Sequence, residues 1–92
     1  MRGMSVGDFI EAMYNCAEIE FTYCSKRLML EIWSNGDSTY SLSLDTIEPK
    51  SKKIFSVERK SIMDCVSLFE EAKIFDGKTI YEAEKEIEVL YG

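Results

Sequence analysis

The residues with reactive potential in this chain are three cysteines, several carboxylate runs and one basic segment; histidine is absent. Cys16, Cys24 and Cys65 would supply nucleophilic thiolates or soft metal ligands. A nucleophilic thiol usually needs an imidazolium or another device that lowers its pKa, and this chain has no imidazole to offer. The cysteine spacings match no zinc motif. Cys16 and Cys65 fall on or beside apolar helical stripes, so packing is the expected role. The carboxylates Glu70-Glu71 and the alternating Glu82, Glu84, Glu86 and Glu88 would serve acid–base work only if two of them shared a cleft in different environments. They fall at helix starts and on polar faces, which predicts a solvated surface. Asp76-Gly77-Lys78-Thr79 has one glycine where a phosphate loop needs several after a strand, and a helix cap followed by a helix start accounts for each residue.

Lys50, Lys52, Lys53, Arg59 and Lys60 form a basic cluster with Phe55 among them. Nucleic-acid recognition usually adds several stacking aromatics or a reading helix, and a net charge of −6 repels phosphate at long range. A solubilising loop beside an edge strand is the expectation. Trp33 stands out differently. Strand alternation puts it on the face opposite Leu28, Leu30 and Ile32, with Met29 alongside and Ile54 joining from the fourth strand. Trp and Met are enriched in interface cores, so Trp33, Met29 and Ile54 form a candidate partner surface. The competing expectation is that the C-terminal segment, through Ile80, Ile87 and Leu90, folds over this face.

The elements that must position these groups are legible from periodicity. Val6, Phe9, Ile10, Met13 and Ala17 make a helical stripe over Val6 to Ala17, capped by Ser5 with Asp8 in the first turn; Met1 to Met4 reads as a frayed lead-in. Strands are predicted at Ile19 to Cys24, Leu28 to Ser34, Ser38 to Leu44 and Ile54 to Glu58, the last with Phe55 and Val57 inward. Facing residues must share a side, so Tyr23 is set opposite Leu28 and Ile19 opposite Ile32. A three-residue loop over Ser34-Asn35-Gly36 sets Leu30 against Tyr40 and Leu28 against Leu42. Asp45 to Lys53, with the sole proline Pro49, reads as a solvated connection. Ser61 opens a second helix with the stripe Ile62, Cys65, Val66, Phe69 and Ala72, which Asp76-Gly77 ends. Thr79 and Glu82 open a short third helix to about Lys85. For residues 86–91, helix and terminal strand stay equally open.

The fold class is therefore α+β in the order α-β-β-β-β-α-α, a four-stranded antiparallel meander with helices packed on one face. The 92 residues make a single domain with 46% hydrophobic and 30% charged residues. Charge is uneven: residues 1–24 carry −3, residues 25–60 carry +2 and residues 61–92 carry −5. No run approaches the ~20 apolar residues of a membrane span. Met1 to Phe9 has no export-signal core, so the thiols are expected to be reduced and the protein cytoplasmic.

Asp64-Cys65-Val66, Phe69-Glu70-Glu71-Ala72, Ile74-Phe75-Asp76-Gly77-Lys78-Thr79 and Glu86-Ile87-Glu88 resemble a group of small uncharacterised bacterial proteins. In these, an Ile-Phe-Asp-Gly-Lys-Ser/Thr turn links two helices near the C-terminus. The chain departs from that group at Lys73, where proline is frequent. The resemblance implies the element order and a bacterial source, and it carries no activity, ligand or catalytic residue.

Together these features predict a non-enzymatic binding or regulatory module acting through a protein partner or homodimer, with no cofactor and with neither nucleic acid nor membrane as partner. The alternative class is a small-ligand protein or enzyme with a pocket between helix and sheet. Thiol titration of the unfolded protein under non-reducing conditions is expected to count three, with no stoichiometric zinc by elemental analysis.

Overall fold

The computed structural model describes residues 1–91. The chain runs α1 (Val6–Met13), β1 (Glu18–Tyr23), β2 (Lys26–Ser34), β3 (Tyr40–Glu48), β4 (Lys52–Arg59), α2 (Ile62–Glu71), α3 (Ile80–Ala83), a 3-10 turn (Glu84–Glu86) and β5 (Ile87–Tyr91). The fold is α+β, and its one sheet has the order β4-β3-β2-β1-β5 with antiparallel neighbours. The sheet thus has five strands rather than the expected four. The last segment is a strand because Ile87 and Val89 alternate into the core beside β1.

The helices form where capping chemistry starts them. The Ser5 hydroxyl accepts from the Asp8 N–H, Ser61 accepts from Met63, and Thr79 with Glu82 makes a reciprocal capping box. Two helix ends come earlier than periodicity suggests. Helix α1 stops at Met13, and Cys16 turns the chain at φ +53. Helix α2 stops at Glu71, and Asp76-Gly77 proves to be a tight two-residue turn rather than a helix cap. Both of its residues have positive φ, and Phe75 and Lys78 exchange backbone hydrogen bonds of 3.1 Å. The turn carries Phe75 into the core, 2% exposed.

Alternation on the strands is as expected, but register is not. Cys24 and Ser25, at φ +48 and +64, make a two-residue turn that sets Tyr23 against Lys26, Phe21 against Leu28 and Ile19 against Leu30. The loop between β2 and β3 spans Asn35 to Thr39, closed by the Asn35 N–H on the Thr39 carbonyl at 3.0 Å. It sets Leu30 against Leu44 and Ile32 against Leu42. Both slips are by an even number of residues, so every side chain keeps its face. Strand β3 runs on to Glu48, and the expected long connection shrinks to a turn around a cis Glu48–Pro49 peptide. The Thr46 hydroxyl fastens that turn at the Lys50 and Lys52 carbonyls, 2.9 and 3.2 Å away.

The core lies between the helices and one sheet face. Phe9, Met13, Ile19, Phe21, Leu30, Leu42, Leu44, Val66, Phe69 and Ile80 are fully buried there. Tyr23 is buried with them, and its hydroxyl donates to the Phe75 carbonyl and the Asp76 carboxylate at 3.2 and 3.1 Å. Burial, followed by the neighbouring Cys24 and Asp76, pushes its ionisation well above the ordinary tyrosine range. The first residues are not frayed. The Arg2 N–H donates to Ile87 at 3.0 Å, Val89 donates to the Arg2 carbonyl at 2.8 Å, and Met1 and Met4 pack against the core. Gly3 permits this approach: at φ +92, a Cβ there would sit 2.4 Å from the Val89 carbonyl oxygen.

Leu30 occupies the centre of the central strand and is fully buried. Leu30→Ala is expected to cost about 2–5 kcal/mol in equilibrium urea melts.

Candidate functional site

The helices cover one sheet face and leave the other free of helical cover. On β2 the contrast is direct: Leu28, Leu30 and Ile32 are at most 3% exposed, while Trp33 on the opposite side is 42% exposed. Strand β5 extends the sheet beside β1 and does not fold over this open face. The described C-terminal residues therefore leave Trp33 uncovered.

The strand register builds the open face as rungs. Trp33 pairs with Ser41, which pairs with Glu58. The next rung runs Glu18, Glu31, Ser43 and Ser56, and the one after it Glu20, Met29, Asp45 and Lys53. Trp33 and Met29 therefore share the face, separated along β2 by Glu31. Ile54 does not join them. A bulge between the Leu44 and Asp45 pairings makes Ile54 the extra residue of β4, and it turns to the helix side to pack against the core. Phe55 and Val57 face inward opposite Leu44 and Leu42, as alternation predicts.

The electrostatics of the rungs differ. Arg27 holds Glu48 at 2.6 Å and lies 2.5 Å from the largely buried Glu20, with its Nε–H directed off that carboxylate oxygen. Tyr91 lies beside Glu20 as well, and desolvation with the Glu20 charge raises the ionisation of its hydroxyl. Lys53 bonds the Ser43 hydroxyl at 3.0 Å and lies 3.7 Å from Asp45. Glu18 and Glu31 stand directly opposite one another, and among the described residues neither has an ion-pair partner. Like charges so placed repel. The site is therefore an exposed indole next to an uncompensated pair of carboxylates, with a third carboxylate, Glu58, across Ser41. It can receive a cation over the ring and pair it with carboxylate oxygens.

The reactive groups are scattered. Cys16 and Cys24 are exposed in turns rather than packed, and Cys65 alone is buried under α2, where burial pushes its thiol up. Among the described residues no three of the Cys, Asp and Glu side chains gather as a metal site would require. Glu70 meets the Tyr81 hydroxyl and pushes its ionisation up to about 12. The sequence reading missed the Glu18–Glu31 pair, because which two glutamates meet depends on the length of the Cys24-Ser25 turn. That turn lacks the glycine that would have announced it.

Glu18→Lys is expected to stabilise the folded chain by about 0.2–1 kcal/mol in urea melts, since it converts a repulsive cross-strand pair into an attractive one. The chain matches no protein-family model, curated protein or solved structure.

Proposed function

We propose that this chain is a non-enzymatic protein-binding module that receives a basic segment of a partner on its open sheet face. One observation carries the reading: Trp33, 42% exposed on the helix-free face, adjoins the unpaired Glu18–Glu31 carboxylates. An arginine or lysine laid across the indole gains a cation–π contact of about 0.5–2 kcal/mol and relieves the carboxylate repulsion at the same time. A second copy is a poorer occupant, because two identical acidic faces repel on approach. A bacterial source and a cytoplasmic setting belong to the same proposal. The first is supported by the resemblance of the Ile74 to Thr79 turn, the second by three cysteines that are free in the fold.

Trp33 is the sole tryptophan, so its emission reports on the proposed site directly. Titration with an oligo-arginine peptide is expected to change that emission saturably and in a salt-sensitive way, with oligo-glutamate inert. Glu31→Lys is expected to abolish the response. Trp33→Ser, followed by amide shifts around Glu18 and Glu31, is expected to keep stability within about 1 kcal/mol while losing the peptide. Unchanged emission and amide shifts would refute the reading. A concentration-dependent dimer that dissolves in Trp33→Ser would reassign the face to a second copy.

A further inference from the structure

On the helix side, where the β3–β4 turn meets the loop after α2, lies a cleft of about 410 Å³. Its rim carries Lys26 from the start of β2, Lys50 from the turn and Lys52 from the start of β4. All three are exposed, and among the described residues no carboxylate lines the cleft and none of the three has an ion-pair partner. A fourth lining residue, Lys53, directs its ammonium group to Ser43 and Asp45 on the other face. The floor is apolar: the β4 bulge brings Ile54 to the same side as Ile74, and Pro49 lines the cleft with them. Thr46, 7% exposed, fixes the backbone that presents two of the lysines through its bonds to the Lys50 and Lys52 carbonyls.

We infer that this cleft binds a soluble organic anion carrying at least two negative charges, of about the size of a nucleotide. Its oxyanion sits among Lys26, Lys50 and Lys52, and its apolar or planar body rests on Ile54 and Ile74. The volume falls within the range of small-molecule sites, about 300–1,000 Å³. Three unpaired ammonium groups around one opening repel one another, and a polyanion removes that repulsion. A small anion feels this local cluster within a Debye length of about 8 Å, whereas a long nucleic acid also meets the acidic remainder of the chain. The site is independent of the open face, because it lies on the opposite side of the sheet.

The test is a two-dimensional NMR titration of the whole chain at physiological salt, with adenosine diphosphate and inorganic pyrophosphate as probes. The diphosphate nucleoside is expected to shift the amides of Lys26, Thr46, Ile54 and Ile74 saturably, with pyrophosphate about tenfold weaker for lack of a body to cover the floor. Lys52→Glu and, separately, Lys26→Gln are expected to weaken the nucleotide by about tenfold or more. Lys85→Glu, a charge change on the exposed 3-10 turn outside the cleft, is expected to leave binding intact. Absence of saturable shifts with either probe would overturn the inference, as would equal losses in Lys85→Glu. Pyrophosphate binding as tightly as the nucleotide would overturn the role of the floor. A single-stranded oligonucleotide binding the same amides more tightly than the nucleotide would reassign the cleft to nucleic acid.

Discussion

The ring of Phe69 lies 6.3 Å from that of Phe9, 6.3 Å from that of Phe55 and 6.4 Å from that of Phe75, joining α1, α2, β4 and the tight turn after α2 at one point. Phe75 continues the contact to Phe21 and Tyr23 on β1, and Phe9 meets Phe21 edge-on at 5.6 Å. Edge and offset geometries add about 0.5–1.5 kcal/mol per aromatic pair beyond the area they bury. Every ring in this set lies on the same side of the sheet. A domain of this size has enough apolar mass for one such layer, so the helices gather there and the reverse face keeps only scattered apolar groups. The one-sided placement of the aromatics therefore determines which face is left for contact.

How much of this was legible follows from what each signal can encode. A period of two states which face a residue occupies, and it placed Leu28, Leu30, Ile32, Leu42, Phe55 and Val57 on the core side and Trp33 away from it. The same period is blind to a slip of two residues, so Ile19 was set against Ile32 when it meets Leu30. It also fails at a bulge, which is why Ile54 changes sides. The extensions of β3 through Glu48 and of β4 back to Lys52 were hidden because all but Ile47 of the added residues are polar and flank the proline that signals a break; the inward Thr46 carries no apolar signal although it is buried opposite Leu28. Capping residues were reliable at helix starts, where one hydroxyl has one backbone partner. They were ambiguous at Asp76-Gly77, since the same dipeptide suits a helix end and a hairpin turn.

Charge shows a related separation between order along the chain and order in space. The basic middle third and the acidic ends look like blocks in sequence. In the fold, antiparallel pairing interleaves them: Glu18 from the acidic start faces Glu31 from the basic third, while Lys26, only a few residues before Glu31, comes to the opposite side of the sheet beside Lys50 and Lys52. Net charge by segment therefore located the basic cleft, whose lysines all belong to residues 25–60, but not the acidic pair, half of which comes from that same segment. The acidic pair and the basic cleft lie on opposite sides of the sheet, and strands β2, β3 and β4 contribute residues to both sides.

The Arg2 bridge to β5 also bears on the order in which the sheet can assemble. Arg2 reaches Glu88 across a sequence separation of 86 residues, and Gly3 lies against Val89 beside it. The β2–β3–β4 meander can close locally, through turns of a few residues. Strand β1 finds β2 across the Cys24-Ser25 turn, but it meets β5 only by closing a loop that contains the meander and the later helices. Until that loop closes, the outer edge of β1 shows bare amides and carbonyls to any other chain nearby. The pairing of β5 with β1 and Arg2 is therefore the most non-local step in building the sheet, and protection of that edge depends on it.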